Sequence, residues 1–317
     1  MAHDAPPSTI HKVRVEWMWK SNTNPWCPLQ AAEWRSYSDI EIDMIEQAFN
    51  KKETHVLLDN FHIIFEHFIQ ISNTDERNQR LVKRCIVNKT EEKLREERFF
   101  ANAITPTKVF TEGWSSESIF IKTTLGHFDL NNYPLSDYQR RMLVDSACKG
   151  LLIEGKEAGK LRQAMWMEQQ LIMVKNGTER EIAETCAYLY TTDSFLHRKL
   201  NECMKLLGDD KYENFWRSKV STLGPFAYLF RDLSILTMNS RKATVYRGMN
   251  LCDDLIKQLI EIKEGEKCSL PAFTSTSRNR EKAVFINGNV LVEIDIDDVR
   301  CVAITTHGVS CVKMIQN

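Results

Sequence analysis

Apolar and polar residues alternate strictly near the N-terminus. Residues 13–20 read Val-Arg-Val-Glu-Trp-Met-Trp-Lys, which is the pattern of a half-buried strand. Ser38 with Glu41 three residues later forms a capping box, and the apolar residues that follow predict a helix ending at Asn50. Further short strands are predicted at 55–58, 61–65, 68–71 and 80–87. This segment therefore predicts a small curved sheet wrapped on one helix.

Helical spacing replaces the alternation in the second half of the chain. From Leu135 onward apolar residues recur every three to four positions, and Pro225 is predicted to begin one of the later helices. The pattern then changes to a strand carrying Arg247, an amphipathic helix, and strands over 273–277 and 289–296. The predicted fold class is α+β, with a helical lobe leading into a β lobe.

A charged and irregular stretch separates these two parts. Residues 89–98 are dense in Lys, Arg and Glu, and the segment after them is interrupted by Pro106, Gly113, Gly126 and Pro134. We therefore predict three regions: an N-terminal domain at 10–88, a linker at 89–135, and a second domain at 136–317.

Composition excludes several classes of function. The 317 residues are 43% hydrophobic with a net charge of −1, so the chain has enough apolar residues for two cores and no general attraction to DNA. The nine cysteines are scattered without metal-ligand spacing, which is typical of reduced thiols in a cytoplasmic or nuclear protein. Neither a signal peptide nor a membrane span is expected. No Rossmann or P-loop glycine motif is present.

Candidate ligand chemistry occurs in two neighbouring segments of the C-terminal part. Arg247 offers a planar fork of donors suited to a diphosphate, and Gly248 beside it lets a ligand approach the backbone. The hydroxyls of Ser275 and Ser277 suit a ribose or a carboxamide. From spacing alone, a strand end with a solvated arginine and ordinary Ser/Thr alternation is the favoured explanation of these residues.

The same segments resemble a known family. The order of Tyr246-Arg247-Gly248, the Ser275-Thr276-Ser277 run and the strand at 290–296 is similar to arginine-specific mono-ADP-ribosyltransferases, and 190–201 is similar to their helical lead-in. This resemblance implies NAD or NADP as co-substrate, no metal, and a protein arginine as acceptor. It also implies that Arg247 holds the phosphates of NAD and that Ser275 fixes its nicotinamide side, with Gly248 and Ser277 beside them.

One family element is missing from the sequence. The Glu-x-Glu pair of the family follows the strand that 290–296 resembles, and no glutamate follows Glu293. The chain is therefore expected to be an incomplete or inactive form of the transferase. Because a carboxylate stabilises the oxocarbenium-like centre formed when the bond to nicotinamide breaks, we expect NAD binding with slow or absent turnover.

Basic and aromatic residues also coincide in the N-terminal domain. The last predicted strand carries Arg80, Lys83 and Arg84, and its expected partners are Trp19 and Trp34. Guanidinium groups bind phosphates and aromatic rings stack on purines, so the pattern fits a nucleotide-like ligand. These residues alone slightly favour the alternative interpretation, a tryptophan-rich core with a solvated basic edge.

Two tryptophans and a glutamate of this domain, Trp17, Trp34 and Glu46, are the residues of a known family signature. With them the domain resembles the WWE domains, which bind other proteins or the iso-ADP-ribose unit of poly(ADP-ribose). The resemblance implies a half-barrel sheet with a ligand site formed by the residues Trp19, Phe61, Gln70 and Arg80, with Trp34 and Tyr37 alongside. Phe61 stands where a tyrosine is usual, so one hydrogen bond to the ligand is lost.

Two hypotheses from different classes remain open. The first is an NAD(P)-dependent protein-arginine ADP-ribosyltransferase whose WWE-like domain binds poly(ADP-ribose) or ADP-ribosylated proteins. The second is a non-catalytic poly(ADP-ribose)-binding protein with an inert transferase-like lobe.

Overall fold

The structure, a computed structural model, describes residues 13–88, 118–130, 134–236, 243–261, 272–273, 276–284, 289–296 and 311–316. By its internal contacts the chain divides into two compact units, residues 1–96 and 97–317. The boundary between the two units lies within the charged stretch at 89–98.

Within the described residues of the first unit, six antiparallel strands form one sheet. They are β1 Val13–Lys20, β2 Trp34–Ser36, β3 His55–Leu57, β4 Phe61–Ile64, β5 Ile69–Ser72 and β6 Gln79–Asn88. Their order is β2-β1-β6-β5-β4-β3. The first strand thus pairs with the last, with Val13 opposite Asn88 and Trp19 opposite Val82. This pairing brings the aromatic residues of β1 beside the basic residues of β6.

Helix α1, Asp39–Asn50, begins at the predicted capping box of Ser38 and Glu41. It packs against one face of the sheet, where Trp17, Ile45 and Ile63 are completely buried. Removing each such side chain from water stabilises the fold by about 2 kcal/mol. The predicted strand is therefore confirmed, and its Trp17 faces the core.

The second unit begins with a helical lobe. Its helices are α2 Ile119–His127, α3 Asp137–Glu157, α4 Leu161–Val174, α5 Glu179–Thr191, α6 Phe195–Lys205, α7 Glu213–Ser218 and α8 Val220–Leu236. Helices α3 and α8 approach closely, since a Cβ added to Gly150 would lie 1.9 Å from the carbonyl oxygen of Thr222. Helix α8 is buried from residue 223 to 230 and forms the centre of the lobe.

Two elements differ from the sequence prediction. Helix α2 lies within the segment predicted as a linker, and its Thr124 side chain touches the Gly224 position of α8. Pro225 lies inside α8 and does not begin it. A proline inside a helix removes one backbone hydrogen bond, and burial of neighbours such as Phe226 and Leu229 offsets that loss.

The β lobe follows the helices. Strands β7 Ala243–Met249, β8 Val290–Ile296 and β9 Cys311–Gln316 form an antiparallel sheet in the order β7-β8-β9. Helices α9 Asp253–Ile260 and α10 Arg280–Val284 accompany it. Leu255 and Leu259 of α9 pack with Val245, Val290 and Val292 in a small core. The described parts of the chain thus combine α and β elements in both units.

Candidate functional site

Arg247 lies on β7, at the edge of the sheet nearest the Ser-rich segment. On one side β7 pairs with β8, where Val292 is opposite Arg247 and Leu291 is opposite Gly248. On the other side Tyr246 forms two backbone hydrogen bonds with Ser277, of 2.7 and 2.8 Å. The two segments that the sequence analysis singled out are therefore adjacent in space.

The hydroxyl groups of the Ser-rich segment occupy different environments. Ser277 Oγ accepts a hydrogen bond from the backbone N–H of Asn279 at 3.0 Å. Thr276 Oγ1 is buried and has no hydrogen-bond partner among the described residues. Ser275, the predicted nicotinamide-side residue, lies outside the described residues.

A buried aromatic and polar cluster lies beside this segment. Tyr190, at the C-terminal end of α5, stacks on Phe230 of α8 at 4.5 Å and meets the edge of Phe273 at 5.6 Å. Its hydroxyl accepts a hydrogen bond from Asn201 Nδ2 of α6 at 2.8 Å. Since Phe273 is four residues from Ser277, these contacts join the helical lobe to the edge of β7.

Two cationic side chains of this region, Arg247 and Lys205, have pKa values that burial lowers. Burial lowers the pKa of Arg247, and Tyr190 acts on it in the opposite direction. The guanidinium nevertheless stays protonated at physiological pH, because arginine starts from so high a pKa. Burial also lowers the pKa of Lys205, the last residue of α6, to about 8, and the positive charge of Arg247 adds to this shift.

The cluster also contains acceptor atoms suited to a polar ligand. Asn201 is 6% exposed, and its Oδ1 has no hydrogen-bond partner among the residues that the structure describes. Together with Thr276 Oγ1 and the guanidinium of Arg247, this donor and acceptor set fits a dinucleotide: the guanidinium matches a diphosphate, and the neutral polar atoms match hydroxyl or amide groups. In the sequence, Tyr190 and Asn201 stand out only as part of the segment at 190–201 that resembles the transferase family.

A second candidate site lies in the first unit. Arg80 lies opposite Gln70 on the neighbouring strand, and its guanidinium stands 5.3 Å from the ring centre of Trp19. The Gln70 side chain in turn accepts a hydrogen bond of 2.5 Å from the hydroxyl of Tyr37. Four of the six residues predicted for ADP-ribose binding, Trp19, Tyr37, Gln70 and Arg80, are therefore neighbours in space.

The other two residues take different positions. Phe61 lies on β4 opposite Ser72, two residues from Gln70. Trp34 lies opposite Lys20 and stacks against the amino group of Lys83 at 4.2 Å. Because side chains alternate along a strand, Trp34 lies on the face of the sheet that Trp19 does not occupy.

The guanidinium of Arg80 also has a structural role. It donates hydrogen bonds to the carbonyl oxygens of Lys20 at 3.0 Å and Asn22 at 2.8 Å. Asn22 itself is buried and holds the loop between β1 and β2 through Ala31 and Glu33. These bonds fix the guanidinium against the ring of Trp19.

Residues 158–310 match the family model described as ART: NAD:arginine ADP-ribosyltransferase. The matched region begins just after α3 and contains Tyr190, Asn201, Lys205, Arg247 and Ser277. Searches of curated proteins and of solved structures found no match to the chain. The match supports an ADP-ribosyltransferase that uses NAD as co-substrate. In the described part of the chain no group of three potential metal ligands occurs, and none of its helices is long and apolar enough to cross a membrane.

Proposed function

We propose that the second domain, residues 136–317, binds NAD or NADP and transfers its ADP-ribose to an arginine of a protein acceptor. The observation that carries this proposal is the pairing of Tyr246 with Ser277, which sets Arg247 beside the Ser-rich segment within the region matched by the family model. Arg247 would hold the diphosphate, and Ser275 and Ser277 would orient the nicotinamide side. Gly248 would leave room for the ligand at the backbone.

In this reaction the bond between the anomeric carbon of the ribose and the ring nitrogen of nicotinamide breaks. Nicotinamide leaves with the bonding electron pair, and a guanidinium nitrogen of the acceptor forms the new bond and loses a proton. A carboxylate near the anomeric carbon stabilises the positive charge that develops there. Because no glutamate follows Glu293 in the 317 residues, binding and turnover need separate tests.

For the first unit we propose recognition of an ADP-ribose unit, either in poly(ADP-ribose) or on a modified protein. The contiguous set of Trp19, Arg80, Gln70 and Tyr37 supports this proposal, since it combines a ring, a fixed cation and a buried amide. The WWE-like unit would then bring the transferase to targets that already carry ADP-ribose. Six free cysteines in the described residues favour a reducing compartment, the cytoplasm or the nucleus.

The first test measures NAD binding by the full chain with isothermal titration calorimetry. Arg247→Lys keeps the charge but loses the planar fork, and Arg247→Ala removes both. We expect these variants to bind NAD about 10-fold and about 100-fold more weakly, respectively, because a hydrogen bond to a charged group contributes about 1.5–3 kcal/mol. The matched control is Arg217→Ala, since Arg217 is an exposed residue whose guanidinium pairs with Glu213 at 2.7 Å and lies over the ring of the adjacent Trp216, both on its own helix. Unchanged affinity in both Arg247 variants refutes the proposed site.

Turnover distinguishes the enzyme from the alternative of a non-catalytic binding protein. Labelled NAD and an arginine-rich protein are incubated with the full chain, and both free nicotinamide and labelled acceptor are measured. Nicotinamide release that depends on Arg247 supports the transferase. NAD binding without any release supports the binding protein with an inert transferase-like lobe.

A parallel titration tests the first unit with iso-ADP-ribose. We expect Arg80→Ala in the full chain to weaken binding about 10-fold or more, while Arg77→Ala, at an exposed position in the turn before β6, leaves it unchanged. Amide hydrogen exchange of 13–88 checks that Arg80→Ala remains folded. Full retention of iso-ADP-ribose binding by a folded Arg80→Ala variant contradicts this site.

A further inference from the structure

Helices α4 and α5 leave an open groove between them on the surface of the helical lobe. The groove has a volume of about 350 Å³. On the α4 side its wall is formed by residues at helical spacing, Gln170, Met173 and Val174. On the α5 side the wall is formed by Glu181, Glu184, Thr185 and Tyr188, which also share one face of their helix. The helical repeat of both segments thus places these side chains along a single groove.

Large apolar side chains of this groove are exposed to water. Met173 is 66% exposed and Tyr188 is 45% exposed, and Ile172 beside Met173 is 50% exposed. Single exposed apolar residues are ordinary, but Met and Tyr grouped along a groove are typical of protein interfaces. The unbranched thioether of Met also adapts its shape to a partner. The groove is therefore suited to the apolar side of a docked protein segment.

The charges along the groove have one sign. Among the described residues that line it, Glu181 and Glu184 are the only charged ones. Lys175, the residue after α4, pairs with Asp145 of α3 at 2.6 Å. Arg180 pairs with Glu184 at 2.8 Å, but both side chains are exposed, and such a pair contributes little, so a cation of a partner can share this carboxylate. Charge complementarity therefore favours a basic partner over an acidic one.

The groove is separate from the aromatic and polar cluster around Tyr190. Tyr188 of the groove and Tyr190 of the cluster are two residues apart on α5, a rotation of about 200° around the helix. The two side chains therefore lie on opposite faces of α5, and Tyr190 is 4% exposed whereas Tyr188 is 45% exposed. A segment docked in the groove thus lies one helix diameter, about 10 Å, from the cluster without occupying it.

We propose that this groove docks a basic amphipathic segment of a partner protein. The apolar side chains of the segment lie against Met173 and Tyr188, and its lysine or arginine side chains pair with Glu181 and Glu184. This is the binding mode in which an amphipathic segment lays its apolar face into a groove between helices. The inference goes beyond the proposed function, since docking requires neither NAD nor turnover.

The experiment measures the binding of a fluorescein-labelled amphipathic peptide of leucine and lysine to the full chain by fluorescence anisotropy. Lysine is chosen so that the peptide offers no arginine to modify, and a matched peptide of leucine and glutamate carries the opposite charge. Met173→Asn removes an apolar contact, and Glu184→Lys reverses one charge of the groove. Thermal unfolding checks that each variant is folded.

Each groove variant has a matched control. Ile260→Asn on α9 matches Met173→Asn, because Ile260 is a large apolar residue that is 61% exposed. Glu213→Lys on α7 matches Glu184→Lys, because Glu213 also belongs to an exposed pair with an arginine one turn away, Arg217 at 2.7 Å. The controls therefore repeat the change in polarity or charge outside the groove.

We expect the wild type to bind the leucine and lysine peptide at least about 10-fold more tightly than the leucine and glutamate peptide. Each groove variant should weaken binding of the basic peptide about 5- to 10-fold, with no change in the controls. Absent binding, equal binding of both peptides, or equal effects of groove and control variants overturns the inference. Self-association of the wild type that Met173→Asn abolishes in sedimentation velocity places a second copy in the groove and also overturns it. A wild type that binds the basic peptide but not NAD supports this inference and refutes only the proposed function.

Discussion

Glu46 provides the sharpest test of how the first unit is held together. Its carboxylate accepts hydrogen bonds from the Arg84 guanidinium at 2.7 and 2.9 Å and from the indole N–H of Trp17 at 2.8 Å. It thereby joins α1 to β1 and β6. Glu46→Ala removes these three bonds at once, together with an exposed bond of 3.2 Å from the side chain of Asn50 within α1.

The expected loss in the free energy of unfolding depends on how buried the two donor side chains, Trp17 and Arg84, are. Trp17 is completely buried, so its N–H loses its acceptor without access to water, at a cost of about 1–3 kcal/mol. The Arg84 side chain is 28% exposed and can be rehydrated, so its loss is about 0.5–1 kcal/mol. We therefore expect Glu46→Ala to lower the free energy of unfolding of this unit by about 2–4 kcal/mol.

Amide hydrogen exchange of the full chain measures this value locally, because peptides from 13–20 and 79–88 report opening of the first unit. Glu66→Ala, at an exposed position after β4, is the matched control and should change the opening free energy by less than about 0.5 kcal/mol. If Glu46→Ala has no larger effect than this control, the argument from the Trp17 and Arg84 bonds is wrong.

The pH dependence gives a second readout of the same carboxylate. The hydrogen bonds from Arg84 lower the pKa of Glu46 below its ordinary value of 4.5, although burial acts in the opposite direction. A lowered folded-state pKa means that the stabilisation is complete above pH 4.5 and is lost as the pH falls through the folded-state pKa. The wild type should therefore lose more stability on acidification below pH 4.5 than Glu46→Ala does. Parallel acid profiles of the two proteins would contradict this assignment.

Two further substitutions test the packing. Gly150→Ala places a methyl group 1.9 Å from the Thr222 carbonyl oxygen. We therefore expect the free energy of unfolding, measured by heat or urea, to fall by at least about 2 kcal/mol. The control is Gly126→Ala, which has open space around it and should be neutral or stabilising. Equal effects at the two glycines would contradict the close approach of α3 and α8. Tyr37→Phe removes the hydroxyl that donates to the buried side-chain carbonyl of Gln70. We expect the opening free energy of the first unit, measured by hydrogen exchange, to fall by about 1–2 kcal/mol. An unchanged value would show that this bond contributes nothing to stability.

Local sequence signals predicted the elements whose formation depends on near neighbours. The capping box of Ser38 and Glu41 begins a helix as expected, and so does that of Thr178 and Glu181. The alternation at 13–20 gave both the strand and its buried Trp17. The interactions of the two capping boxes span four residues or fewer, so the sequence contains their whole cause.

The misassigned elements depend on partners far along the chain. Helix α2 was not predicted because its apolar face is short and Gly126 interrupts it, and its burial depends on α8, about one hundred residues later. Pro225 was predicted to begin a helix because proline is disfavoured inside one. The packing of α8 against α3 and α5 decided otherwise.

The sequence by itself determined which chemical groups this protein offers: an arginine beside a glycine, a run of hydroxyls, and a basic strand near tryptophans. Only the tertiary structure decided which of them meet. Strand pairing brought Tyr246, the neighbour of Arg247, to Ser277 and placed Trp34 on the face of the sheet opposite Trp19. Such meetings depend on sheet register and helix packing, which are set by the burial of the whole core and not by any local pattern.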